Sequence, residues 1–153
     1  MSFAIELMNR EPITVSPDLS VRRLARLLLD QNLDGVCVVE EGKLVGVVTT
    51  MDVIFQERKV ALPSYVRLLN RLIPLEKSRQ ASLDKAVGGT VREIMSAEPI
   101  GVGFDSSIDE IAALMVDLHI TIVPVLNEGS LVGVIYKRDV LRAALSSMGV
   151  DEA

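Results

Sequence analysis

Residues 6–53 and 93–140 are two copies of one segment, aligned without a gap at an offset of 87 positions. At least 20 of the 48 paired positions are identical. Met8, Glu11, Pro12, Ile13, Val15, Asp18 and Ser20 fall on Met95, Glu98, Pro99, Ile100, Val102, Asp105 and Ser107. Leu44-Val45-Gly46-Val47 falls on Leu131-Val132-Gly133-Val134, and Asp52-Val53 on Asp139-Val140. A repeat of this length is a supersecondary unit, and a second copy can bury the face that one copy leaves bare. Two copies also predict a pseudo-twofold axis, with any cleft between them occurring in related pairs.

Within each copy the pattern is the same. Pro12 and Pro99 precede short apolar stretches, Ile13-Thr14-Val15 and Ile100-Gly101-Val102. Asp18 and Ser20, with Asp105 and Ser107, are cap-type residues that open a helix. Val21, Leu24, Leu27 and Leu28 then recur at helical spacing, as do Ile108, Ile111, Leu114 and Met115. Two apolar runs follow around a glycine-containing turn, Glu41-Gly42 or Glu128-Gly129, which reads as a β-hairpin. The runs are continuously apolar, so the sheet is expected to be covered on both faces. A last helix starts near Thr50 and near Lys137. The unit is strand, helix, strand, strand, helix.

The 153 residues form one compact domain or two half-domains sharing a core. The expected division is a first motif over 1–57, a helical insertion over 58–90 and a second motif over 91–153. In the insertion, Tyr65, Leu68, Leu69, Leu72 and Ile73 make one apolar helical face between Pro63 and Pro74. Residues 56–90 carry seven basic and three acidic side chains, so the insertion is net positive while the whole chain is −5. That segment reads either as a solvated helical surface or as a basic flank for phosphates or an acidic partner. The acidic balance, the 3% aromatic content and the absence of tryptophan argue against nucleic acid as the main partner. No apolar run reaches the length of a membrane span, and the N-terminus does not read as a signal peptide. One cysteine, Cys37, cannot form an internal disulfide, and a cytoplasmic protein is expected.

Catalytic equipment is sparse. Cys37 lies in an apolar run and reads as a buried small hydrophobe. His119, the sole histidine, reads as a helix-end polar residue. No cluster has metal-ligand spacing. The distinctive passage is the one from hairpin to last helix, Gly46-Val47-Val48-Thr49-Thr50-Met51-Asp52 and Gly133-Val134-Ile135-Tyr136-Lys137-Arg138-Asp139. It puts hydroxyls and a carboxylate at a helix start, where free amides and the helix dipole favour a phosphate. The same residues would equally serve as simple helix caps. Both readings stand on the residues alone.

The order and duplication of these motifs, Gly46-x-x-Thr49-x-x-Asp52, Met95-Ser96-x-x-Pro99 and Val123-Pro124-Val125 among them, resemble a cystathionine β-synthase (CBS) domain pair, or Bateman module. The resemblance covers 6–57 and 93–147. It implies an α/β (α+β) fold: a tandem CBS-domain pair with two strand-helix-strand-strand-helix repeats about a pseudo-twofold axis. It further implies a regulatory module without catalysis or catalytic cofactor, binding an adenosine-containing ligand in clefts between the copies. AMP, ADP or ATP are the foremost expectations, with S-adenosylmethionine or cyclic di-AMP as others. One cleft would combine Thr49, Thr50 and Asp52 with Ile100, Gly101, Thr121, Ile122 and Pro124, and Lys137 near the phosphate. The other would combine Lys137, Arg138 and Asp139 with Ile13, Thr14, Asp34 and Gly35. The first is expected to be the better site, because in the second Tyr136 stands where the family prefers Ser or Thr and Asp34 opposes an anion, although Lys137 and Arg138 could compensate. The resemblance also implies a flat homodimer, with contact from Val140, Leu141, Leu145 and the 64–73 helix, and a separate regulated protein. The competing expectation is a ligand-free dimerisation or interaction module with vestigial sites.

Overall fold

A computed structural model describes residues 2–60 and 89–149, so the 64–73 segment and most of the insertion lie outside the described residues. The first copy runs β1 (Thr14–Val15), α2 (Val21–Asp30), β2 (Gly35–Glu40), β3 (Lys43–Thr49) and α3 (Thr50–Val60), preceded by a short α1 (Ala4–Leu7). The second begins with α4 (Val91–Ile94) and β4 (Ser96–Ala97), followed by α5 (Ile108–Leu118), β5 (Ile122–Asn127), β6 (Ser130–Tyr136) and α6 (Lys137–Ser147). The expected order of strand, helix, strand, strand and helix is present in the first half, and in the second the opening strand expected at Ile100-Gly101-Val102 is reduced to a single bridge at Val102. The leader helices α1 and α4 are additions that periodicity did not signal, each being only four residues long.

The helix starts follow from their caps. The Ser20 hydroxyl accepts the Arg23 N–H at 3.2 Å. Ser107 accepts from the Glu110 N–H, and the Glu110 carboxylate accepts the Ser107 N–H in return, a reciprocal box. Asp18 caps nothing. Its carboxylate instead lies 3.6 Å from Arg92. The hairpin turns need two consecutive residues at positive φ, supplied by Glu41 (51°) with Gly42 (78°) and Glu128 (50°) with Gly129 (83°). Such turns match the natural twist of the strands.

Strand alternation divides the apolar residues between two layers. Val36, Val38 and Val48 face α2 and pack with Leu24 and Leu28, while Val123, Val125 and Ile135 pack with Ile111 of α5. Residues adjacent to them in sequence and on the opposite face, Cys37, Ile122 and Val134, form a third cluster joining the two hairpins, flanked by Val47 and Tyr136. Both faces of each hairpin are therefore covered, and the continuous apolar runs are explained.

The leaders cross between the copies. β4, from the second copy, pairs antiparallel with β3 of the first, with Gly46 opposite Ala97 and Val47 opposite Ser96. Reciprocally, Asn9 exchanges two backbone hydrogen bonds with Val134, at 2.9 and 3.0 Å. Ala4 is fully buried in the second core, and Val91 is fully buried in the first. Residues 4–9 thus pack on the second copy and 91–97 on the first. Parallel pairing of β1 with β2 is mirrored by a Val102 to Val125 bridge.

Candidate functional site

β3 ends at Thr49 and α3 begins at Thr50, and this junction forms one wall of a cavity between the copies. Its volume is about 530 Å³, within the usual range for a small-ligand site. Thr49, Thr50, Met51 and Asp52 supply that wall. Ser96, Glu98, Pro99 and Ile100 supply the second, carried there by the pairing of β4 with β3. The segment from His119 to Ile122, between α5 and β5, supplies the third, and Asp34 and Lys137 stand at the junction of the copies.

The local geometry is set by Asp52. Its Oδ2 accepts the Thr49 N–H at 2.8 Å and the Thr49 hydroxyl at 3.2 Å, and the same hydroxyl is 3.4 Å from the Asp52 N–H. The carboxylate is thereby held at the first turn of α3, where the helix dipole favours a negative charge. The Thr50 N–H is taken by the Asp34 carbonyl at 2.8 Å, and in the second copy the Lys137 N–H is taken by the Thr121 carbonyl at 3.0 Å. Capping therefore accounts for several of the polar groups at the junction. It leaves the cavity a fixed carboxylate on one side and the half-exposed Ile100 with the buried Ile122 on the other.

Of the first expected cleft, Thr49, Thr50, Asp52, Ile100, Thr121, Ile122 and Lys137 are brought together around this cavity. Gly101 and Pro124 are not on its wall. The bridge from Val102 to Val125 turns Gly101 onto the Leu126 side chain, where a Cβ would stand 2.8 Å from Cδ1, and Pro124 is fully buried. Of the second cleft, Asp34 and Lys137 line this same cavity, joined by an ion pair of 2.7 Å across the copies. Ile13, Thr14, Gly35, Arg138 and Asp139 do not line it.

The second junction is also chemically different. Asp139 accepts the Tyr136 N–H at 2.8 Å, but its other oxygen lies 3.7 Å from Arg142. The counterpart of Arg142 is Phe55, so Asp52 lacks this ion pair. Tyr136 packs into the cluster between the hairpins. Burial, with the Cys37 thiol and Asp139 nearby, pushes its phenol up to about 12. Burial likewise pushes the Cys37 thiol up to about 12, which suits a small core residue and not a nucleophile.

Val47, Met51, Ser96, Glu98, Pro99, His119 and Ile120 line the cavity without having been placed in the expected cleft. His119 is the helix-end residue expected, in left-handed conformation at φ 54°, and this position also brings it to the wall. Its counterpart Asn32, at φ 52°, holds the same helix-end place in the first copy. Among the described residues no group of His, Cys, Asp and Glu could hold a metal ion, and no helix is long and apolar enough to cross a membrane.

The CBS domain model matches twice, over residues 4–58 and 91–146. The chain belongs to the CBS domain family. This CBS pair is 24% identical to the CBS domain-containing protein YhcV of Bacillus subtilis, covering 100% of the chain and 93% of that protein. It is 28% identical to an uncharacterised protein of Methanocaldococcus jannaschii, covering 92% and 90% of the two chains. It is 31% identical to inosine-5′-monophosphate dehydrogenase of Korarchaeum cryptofilum over 86% of the chain, but spans only 22% of that enzyme. Among solved structures, the pair matches CBSX2, an Arabidopsis thaliana protein, in its complex with AMP. That match has a TM-score of 0.74 at 23% identity and covers 97% of this chain and 99% of the other. It also matches the CBS domain pair of protein MJ0100, solved with 5′-methylthioadenosine and S-adenosyl-L-methionine. There the TM-score is 0.70 at 23% identity, with 96% and 98% covered.

Proposed function

We propose that this CBS pair is a regulatory module that binds an adenosine-containing ligand in the Thr49 and Asp52 cavity and carries no catalytic activity of its own. The observation that carries the reading is the placement of a fixed carboxylate opposite an apolar slot. Asp52, held by Thr49, faces the ribose hydroxyls, and Ile100 and Ile122 flank the adenine. Thr50 and Lys137 lie where a 5′ substituent would emerge. Complexes of similarly folded pairs with AMP, 5′-methylthioadenosine and S-adenosylmethionine support adenosyl compounds as the class. AMP, ADP, ATP and cyclic di-AMP belong to the same panel.

Ligand binding would shift the relation between the copies, or between two subunits, only by its differential affinity for the two arrangements. A separate protein would read that shift. We place a homodimer contact on the outer helices, where Leu141 and Leu145 are exposed at 61% and 41%. Val140, the third residue expected there, is half-buried and also packs against the second core. The exposed Ile54 and Phe55 of α3 extend the same kind of surface to the first copy. This surface is also what favours the second reading, an interaction module without ligand.

The deciding experiment is a thermal-shift panel on ligand-free protein and on Asp52→Ala. A ligand at a hundred times its dissociation constant adds about 2.7 kcal/mol of stability. A raised midpoint in the wild type that is lost in Asp52→Ala is the expected result. No shift with any adenosyl compound would leave the interaction module as the function.

A further inference from the structure

The charges around the cavity bear on which adenosyl compound it takes, an inference that rests on the adenosyl reading above. Among the described residues, three carboxylates line the cavity, Asp34, Asp52 and Glu98, against one lysine, Lys137, with His119 also on the wall. The lysine is already engaged, its Nζ lying 2.7 Å from Asp34 Oδ2. A phosphate that recruits Lys137 must either displace Asp34 or lie beside it. Either way, an anion gains one cation and meets the carboxylate that cation had neutralised.

The ribose-side carboxylate adds to this. Asp52 Oδ2 is held by Thr49, so the group stays fixed at the helix start. Glu98 enters with the edge strand that completes the first sheet, and its backbone is in the left-handed region at φ 60°. Among the described residues, the carboxylates of the lining outnumber its one lysine. Unpaired like charge is an effective means of rejecting a competing ligand. Its effect is strongest where the ligand's charge is greatest and screening weakest.

We infer that the cavity selects adenosyl compounds whose 5′ group is uncharged or cationic, a thioether or a sulfonium, over nucleoside polyphosphates, and that Asp34 sets this selectivity through its pair with Lys137. The cavity's volume accommodates a nucleoside with a short 5′ chain. Asp34 occupies the position that Thr121 holds in the other copy, so the two otherwise related junctions differ at this residue by a full charge.

The test is isothermal titration calorimetry of the full chain in EDTA at low ionic strength. The probes are 5′-methylthioadenosine, S-adenosylmethionine, AMP and ATP, on wild type and Asp34→Asn. The wild type is expected to bind the first two at least about tenfold more tightly than ATP, with AMP between. Asp34→Asn should narrow that ratio about tenfold, and added salt should narrow it in the wild type. Equal or tighter binding of ATP by the wild type overturns the inference alone, as does an unchanged ratio in Asp34→Asn. Absence of binding by all four overturns the adenosyl reading, and the selectivity falls with it. Asp34 is exposed, and circular dichroism of the variant separates a binding change from a folding defect.

Discussion

Met95 lays its thioether on the bare backbone of Gly46, so closely that a Cβ there would stand 2.6 Å from the sulfur. The relation recurs between Met8 and Gly133, also at 2.6 Å. Each methionine comes from the leader of one copy and each glycine from the hairpin of the other. The absent side chain is what lets the edge segments lie flat on β3 and β6.

Gly46→Ala should therefore destabilise the protein by about 1–3 kcal/mol, the usual range for overpacking a filled site. The new methyl would also meet the Ser96 carbonyl at 2.9 Å, which is backbone and cannot swing aside. Gly133→Ala should cost less, since the close atoms belong to the flexible Met8 side chain. Urea unfolding midpoints of the two variants give the comparison, and equal midpoints would contradict the asymmetry.

Asp52 has two separable roles. As a cap partner of Thr49 its loss should cost about 0.5–2 kcal/mol, whatever the ligand. Asp52→Asn keeps an acceptor for the Thr49 N–H and should retain most of that stability, while Asp52→Ala should not. Both should weaken an adenosyl ligand if the carboxylate holds the ribose. Thermal midpoints without and with ligand resolve the two effects.

Alkaline stability follows from the buried thiol and phenol. In the folded chain Cys37 and Tyr136 are both held protonated to about pH 12, against ordinary values of 9.0 and 10.0. Above those ordinary values the unfolded chain releases protons that the folded chain keeps, so the unfolded state gains and stability falls as pH rises. The loss should begin near pH 9 and deepen toward pH 12. Folded protein should also resist iodoacetamide at pH 8.5, and urea-unfolded protein should react at once. Rapid modification of the native state would mean that Cys37 is reached by solvent.

If α6 carries the dimer contact, Leu141→Glu should shift the protein to a lower mass in light scattering without lowering its melting point in proportion. Leu141 is 61% exposed, so the substitution disturbs no core. An unchanged mass at equal concentration would move the contact elsewhere.

Much of this architecture is legible in the chain because it is local. The Glu-Gly turns, the Ser20 and Ser107 caps and the helix starts at Thr50 and Lys137 are each encoded within a few residues. So is the carboxylate that reaches back three positions, from Asp52 to Thr49. The cavity lining is less legible. Ile100 and Ile122 could be placed by family resemblance, but the same resemblance put Gly101 and Pro124 on a wall from which strand pairing removes them. Glu98, Ser96 and His119 carry no local signal for a site and reach it only through the paired edge and the helix end. The ion pair of Asp34 with Lys137 links residues about a hundred positions apart, and only the relation of the two copies brings them together.

The crossed leaders make the two halves of the chain interdependent in a way the repeat alone does not suggest. A fragment ending before Val91 would lose the β4 strand from its own sheet and keep a leader with no hairpin to join. Its β3 edge would present unpaired amides and carbonyls, a template for another strand. Two such fragments could satisfy each other by exchanging leaders, and the single-chain protein is the covalently joined form of that exchange.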